Sequence, residues 1–123
     1  MDEQSIEFGM TLRTTHNGSV AVLSVSGEVD LASAPLLEEE ALGLLEENPS
    51  GLIIDLTDVH FLSSMGMALL MGLSKRTVDS VNFAVVAHGN ATARPLELLG
   101  LSKILTIHPR LDDALAALGI AAE

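Results

Sequence analysis

Two adjacent hydroxyls, Ser63 and Ser64, stand where a short apolar run gives way to a helix-length apolar segment. The residues leading to them are Leu52-Ile53-Ile54-Asp55-Leu56 and Thr57-Asp58-Val59-His60, followed by Phe61-Leu62-Ser63-Ser64-Met65-Gly66-Met67. A hydroxyl at a helix entrance can satisfy the free N–H groups of the first turn. The same place favours a phosphate, because those N–H groups and the helix dipole both attract anions. The chemistry in view is therefore capping, phosphorylation, or nucleophilic attack with His60, His88, Asp55 or Asp58 as helpers. Spacing gives the last of these no support, since neither serine has a glycine two residues before it and no Gly-x-Ser-x-Gly elbow can be written.

Other chemistries have less to work with. The histidines at 16, 60, 88 and 108 fall on separate loops or element ends, without the i, i+4 pairing of a metal site. Gly66, Gly72 and Gly89 are isolated, so neither a dinucleotide fingerprint nor a P-loop runs through them, and no cofactor or metal is expected. The chain has no Cys, which removes disulfides, thiol nucleophiles and cysteine-held zinc together. With three Phe, no Trp and no Tyr, it lacks the stacking platforms of a single-strand binder, and its formal net charge of −11 repels nucleic acid. Twelve acidic residues and one basic residue precede Lys75, so that negative field belongs to the first 74 residues and would steer the protein toward a basic protein surface. The first residues, Met1-Asp2-Glu3-Gln4, lack the basic and apolar regions of a signal peptide, and no apolar run is long enough to span a bilayer. The expectation is a soluble cytoplasmic protein, not inserted in a membrane.

The elements that must position the serines follow from periodicity. At 123 residues and 48% hydrophobic content, the chain has material for one real core. A single domain over residues 5–119 is expected, with short tails at 1–4 and 120–123. Phe8 to Thr15 and Ser19 to Glu28 read as strands joined at His16-Asn17-Gly18, where Asn-Gly signals a hairpin. Ser33-Ala34-Pro35 starts a helix, because Pro suits a first turn and Leu37, Ala41, Leu44 and Leu45 then recur on one face, leaving Glu38, Glu39 and Glu40 to water. Asn48-Pro49-Ser50-Gly51 stops it ahead of a doubly covered strand, Leu52 to Leu56. A helix from Met65 to about Val78, a strand Val81 to Ala87, a short helix Asn90 to Leu99 closed by Gly100, a strand Lys103 to Ile107 and a terminal helix with Leu111, Leu115 and Leu118 complete the series. The fold class is α/β: a mixed sheet of four to five strands beginning with a β-hairpin, with about four helices packed on it. Met65 and Met67, at the entrance to the second helix, would form an adaptable apolar patch beside the hydroxyls, of the kind used at protein interfaces, or pack in the core as part of the helix's apolar stripe, the commoner fate for Met67.

These residues resemble the STAS-domain family of anti-sigma factor antagonists, bacterial proteins like the sporulation antagonist and its actinobacterial stress-response relatives. The landmarks are Val25-Ser26-Gly27-Glu28-Val29-Asp30, Leu52-Ile53-Ile54-Asp55-Leu56, Phe61-Leu62-Ser63-Ser64-Met65-Gly66, Val85-Val86-Ala87-His88-Gly89 and Leu98-Leu99-Gly100-Leu101, covering almost the whole chain. The family's helix-entrance motif is an aromatic, an apolar residue, Asp, Ser, a small residue and Gly, with the Ser two before the Gly phosphorylated; counting back from Gly66 gives Ser64. Here Ser63 replaces the usual Asp, Met65 the usual small residue, and Ala68 the Gly two positions after Gly66, so Ser63 is a second phosphorylation candidate. The resemblance implies that the unphosphorylated protein binds an anti-sigma factor, often itself a serine kinase, and so frees a sigma factor. Phosphorylation would block that binding and a serine phosphatase restore it. Asp30, Ser33, Ser63, Ser64, Met65 and Met67 are the expected partner-binding residues, on a protein that is a monomer or weak dimer and not an enzyme. A STAS subunit regulating a membrane transporter, or a serine hydrolase, is the alternative.

Overall fold

The structure, a computed structural model, describes residues 3–7 and 9–119. Strands β1 (Glu3–Glu7), β2 (Met10–Asn17), β3 (Val20–Val29), β4 (Gly51–Leu62), β5 (Asn82–Val86) and β6 (Ile107–His108) form one sheet in sequence order. The first three pair antiparallel and the rest parallel. Helices α1 (Ala34–Leu45), α2 (Ser64–Thr77) and α3 (Ala93–Leu98) make the crossovers, and α4 (Leu111–Ala117) follows the last strand. The expected mixed sheet with an antiparallel start and four helices is present. Short edge strands bring the count to six, and β1 takes Glu3 and Gln4 out of the expected tail. The expected strand start at Phe8 and the tail at 120–123 lie outside the described residues.

The sheet is covered on both faces. Leu23, Val25, Leu52, Ile54 and Leu56 pack with Leu37, Ala41 and Leu44 of α1, Leu70 and Leu73 of α2, and Leu96 of α3. The intervening residues Val20, Val22, Ile53, Ala84 and Val86 pack beneath Ala114 and Leu115 of α4. The continuous apolar reading of the central strands follows from this, because both sides of the pleat are dry. Turn chemistry also places the ends: Gly18, in the tight β2–β3 connection, has φ +61°, and Gly100, closing α3, has φ +75°.

Two differences from the sequence reading matter. The strand expected to end at Leu56 runs on to Leu62, because β4 carries two irregularities against β3, between Ser24/Ser26 and between Gly27/Glu28. Each gives β4 one extra residue, so Leu56, Val59 and Leu62 all reach the core at a spacing of three, a pattern that no period-two template detects. At the first bulge the Asp55 carboxylate accepts hydrogen bonds from the Thr57 N–H and hydroxyl. The strand expected at Lys103 to Ile107 is instead a turn of 3₁₀ helix at Leu101–Lys103 followed by the two-residue β6. The apolar residues of that segment divide their burial: Leu105 is buried in the main core while Ile104 is exposed.

Where β3 passes the start of β2, a Cβ on Gly27 would lie 2.2 Å from the Gly9 carbonyl oxygen, and its φ of +93° disfavours any side chain. In contrast, a Cβ on Gly72 of α2 would meet nothing within 4 Å. Gly27→Ala is therefore expected to lose on the order of 2 kcal/mol or more of stability. Gly72→Ala should gain about 0.5–1 kcal/mol. Urea denaturation of the two variants checks both signs.

Candidate functional site

The carboxyl ends of β3 and β4 lie side by side, with Val29 paired to Leu62, and the chain segments that leave them build the site. Ser63 donates its backbone N–H to the Val29 carbonyl at 2.9 Å, which fixes the start of α2 to the end of β3. Its own backbone is extended (φ −77°, ψ 169°), the geometry of an N-cap. The Ser63 hydroxyl accepts from the Gly66 N–H at 3.2 Å, and the Ser63 carbonyl accepts from the Met67 N–H at 3.0 Å. Gly66 is buried so closely that a Cβ would lie 2.7 Å from Leu62 Cδ1 and 2.8 Å from Val29 Cγ1. The first turn of α2 is thus pressed directly onto the two strand ends.

This separates the two hydroxyls. Ser63 is half-buried and engaged as the cap; Ser64, one residue on, is exposed in the first turn. The methionines separate too. Met65 is 45% exposed, whereas Met67 is 9% exposed and part of the core, so the structure places only the first at the surface beside Ser64.

Asp30 and Ser33 shape the neighbouring β3–α1 turn rather than presenting two free polar groups. The Asp30 carboxylate accepts from the Ala32 and Ser33 N–H groups, both at 3.0 Å, and from the Ser33 hydroxyl at 3.1 Å. The Ser33 hydroxyl shares its one proton between Asp30 and the Glu28 carbonyl, the latter at 2.8 Å, and accepts from the Asp30 N–H at 2.9 Å. Ser33 is fully buried and can touch no partner directly; its part in the site is to brace the turn. The Ser33 N–H, against a smaller opposing effect of burial, holds the Asp30 carboxyl below the ordinary carboxylate range, with the Ser33 hydroxyl and the Ala32 N–H helping.

That brace displays Leu31, 73% exposed, and the end of β4 displays Phe61, 52% exposed. Sequence reasoning missed both. Leu31 sits in the short mixed turn Asp30-Leu31-Ala32-Ser33 and carries no periodic signal, and Phe61 lies beyond two bulges that change which residues face the core. Together with Met65 they put three exposed apolar side chains on the segments that meet at the start of α2, with the Asp30 carboxylate on the neighbouring turn. The nearest cations along α2, Lys75 and Arg76, lie about 16 Å down the helix from Ser64 at 1.5 Å per residue. Among the described residues no hydrogen bond joins Ser63 or Ser64 to a histidine, so the arrangement supplies no nucleophile–base pair, and no cluster of three acidic or histidine side chains is placed to hold a metal. What it offers is an apolar contact surface with one exposed hydroxyl.

The chain is similar to known proteins over most of its length. The STAS domain family matches residues 11–114. The anti-sigma-F factor antagonist RsfB of Mycobacterium tuberculosis is 47% identical over 100 residues, covering 81% of each chain. The crystal structure of an anti-sigma factor antagonist from Mycobacterium paratuberculosis superposes with a TM-score of 0.86 at 40% identity, covering 89% of this chain and 94% of that one. The unphosphorylated form of the anti-sigma factor antagonist SpoIIAA shares the fold with a TM-score of 0.71 at 13% identity, over 90% of this chain and 99% of that one.

The depressed Asp30 carboxyl has a consequence for stability. A group whose acidity is strengthened by folding stabilises the protein above its unfolded pKa, and that stabilisation fades as the pH falls through the lower folded value. Asp30→Asn should therefore be less stable than the parent at neutral pH, with the difference shrinking on acidification below the ordinary carboxylate range. Thermal melts of both proteins from pH 7 to pH 3 check the sign.

Proposed function

The chain belongs to the STAS-domain family, and on that premise we propose that it is an anti-sigma factor antagonist whose docking onto an anti-sigma factor is switched off by phosphorylation of Ser64. In this reading the unphosphorylated protein occupies the anti-sigma factor, a serine kinase, and so releases a sigma factor. It acts in the cytoplasm as a protein ligand and not as an enzyme; among the described residues no helix is long and apolar enough to cross a membrane. The observation that carries the reading is the division of labour between the serines: Ser63 is committed to the cap, leaving Ser64 exposed and accessible to a kinase.

The kinase transfers the γ-phosphoryl group of ATP to Ser64 Oγ; ADP leaves, and the hydroxyl proton passes to a base of the kinase. The phosphate brings about −1.5 to −2 charge at pH 7. At the first turn of a helix that charge is tolerated, so the fold survives and the effect falls on docking. An anion on Ser64, next to the exposed Met65, would have to be desolvated at the interface without a cation of this chain close by along α2. A penalty of about 2.7–4.1 kcal/mol already weakens binding 100- to 1,000-fold. The charge of the chain also bears on the partner: a net charge of −11, concentrated in the first 74 residues, steers the protein toward a basic surface. A serine phosphatase resets the switch by hydrolysing the phosphoester.

Ser64→Glu and Ser64→Asp are expected to melt like the parent and to lose about 100-fold or more in affinity for the anti-sigma partner. Ser64→Ala should bind like the parent and remain bound in the presence of ATP. Leu31→Ala should weaken the complex by about 1–2 kcal/mol without changing the response to ATP. Calorimetric titration of each variant into the purified partner reads all of these, and equal affinities for Ser64→Ala and Ser64→Glu would refute a charge switch.

A further inference from the structure

The most acidic part of the chain and its one basic stretch are well separated. Residues 87–110 hold three basic residues and one acidic one, while the rest of the chain holds three basic and sixteen acidic residues. That stretch encloses a cleft of about 410 Å³ at the carboxyl ends of β5 and β6, between α3 and the segment that follows β6. The volume suits a small ligand.

The cleft is lined by His88, Asn90, Arg94 and Ser102, with Ile107 and Pro109 as an apolar wall. Among the described residues none of those four polar side chains has a hydrogen-bond or ion-pair partner within the protein. These side chains are exposed, and a guanidinium lining one cleft with an amide, an imidazole and a hydroxyl is a donor set for an oxyanion, Arg matching the planar fork of a carboxylate or phosphate. Glu97 lines the same cleft and disfavours a ligand bearing several negative charges, but its carboxylate can accept from a ligand hydroxyl. No Phe, Tyr or Trp ring lines the cleft.

We propose that this cleft binds a small hydroxylated oxyanion, a hydroxycarboxylate or the phosphate ester of a small polyol, with Arg94 holding the anionic head and Asn90, His88 and Ser102 completing its hydrogen bonds. The site is separate from the Ser64 surface and uses none of its residues, so it stands or falls independently of the phosphorylation switch.

Titration of the ¹⁵N-labelled full chain with lactate, and separately with glycerol 3-phosphate, at pH 7 and constant ionic strength against sodium chloride, tests it by amide chemical shift. The expected result is saturable shifts at residues 88–94 and at Ser102 with at least one probe, with a dissociation constant on the order of millimolar. Response to one probe identifies the head group as carboxylate or phosphate. Arg94→Ala should weaken that binding by about tenfold or more, the loss of one charge-assisted contact. Asn90→Ala should weaken it less, and Arg110→Ala, which removes an exposed cation paired with Asp113 outside the cleft, should leave it unchanged. Thermal melts verify that each variant is folded. Shifts that fail to saturate with both probes, that equal those of chloride, or that persist undiminished in folded Arg94→Ala overturn the proposal.

Discussion

Everything at the Ser64 surface depends on how closely α2 approaches the sheet. Gly66 sits where a single added carbon would collide with Leu62 and Val29, so the first turn of the helix rests on the strand ends with no side chain between them. Ser63 completes that contact from both directions, donating its N–H to Val29 and capping the Gly66 N–H with its hydroxyl. A helix start held this firmly can carry an exposed residue whose chemical state changes without disturbing the core, because the cap and the core contacts are made by its neighbours.

The same constraint explains why Ser63 can stand where the family usually has Asp. Both residues are good N-caps, accepting from an N–H of the first turn. The hydroxyl preserves the cap seen here while removing one negative charge next to Ser64. The net effect is a helix entrance with no charge at the cap itself, beside the turn that Asp30 holds. Asp30 has a different duty: it gathers the Ala32 and Ser33 N–H groups and holds the turn that exposes Leu31. Polar residues that looked like contact points in the sequence thus divide into those that build the surface and those that form it.

Most of the architecture was legible in the chain, for physical reasons that differ by element. The β2–β3 hairpin was visible through Asn17-Gly18, α1 through Pro35 and a regular apolar stripe, and the central strands through continuous apolar runs that only a doubly covered sheet explains. The far half of β4 was hidden because two bulges shift its inward phase, and that shift also concealed Phe61. The segment 101–108 misled because Leu105 and Ile107 suggest a strand, whereas Gly100 and the 3₁₀ turn use up the residues that would have extended it. Of the six residues expected at the surface, Ser64 and Met65 are exposed, Asp30 and Ser63 are half-buried and hydrogen-bonded, and Ser33 and Met67 are buried. The difference is helical phase for Met67 and a buried bracing role for Ser33, neither of which a linear motif reveals.

The most direct measurement is to incubate the protein with its purified anti-sigma partner and ATP, map the phosphate by mass spectrometry, and then compare the melting curve and partner binding of the isolated phosphoprotein with those of the unmodified chain. The account predicts one phosphate, on Ser64, with the fold retained and the complex lost. A phosphate on Ser63, or a Ser64 phosphoprotein that still binds as tightly as the unmodified one, would contradict it.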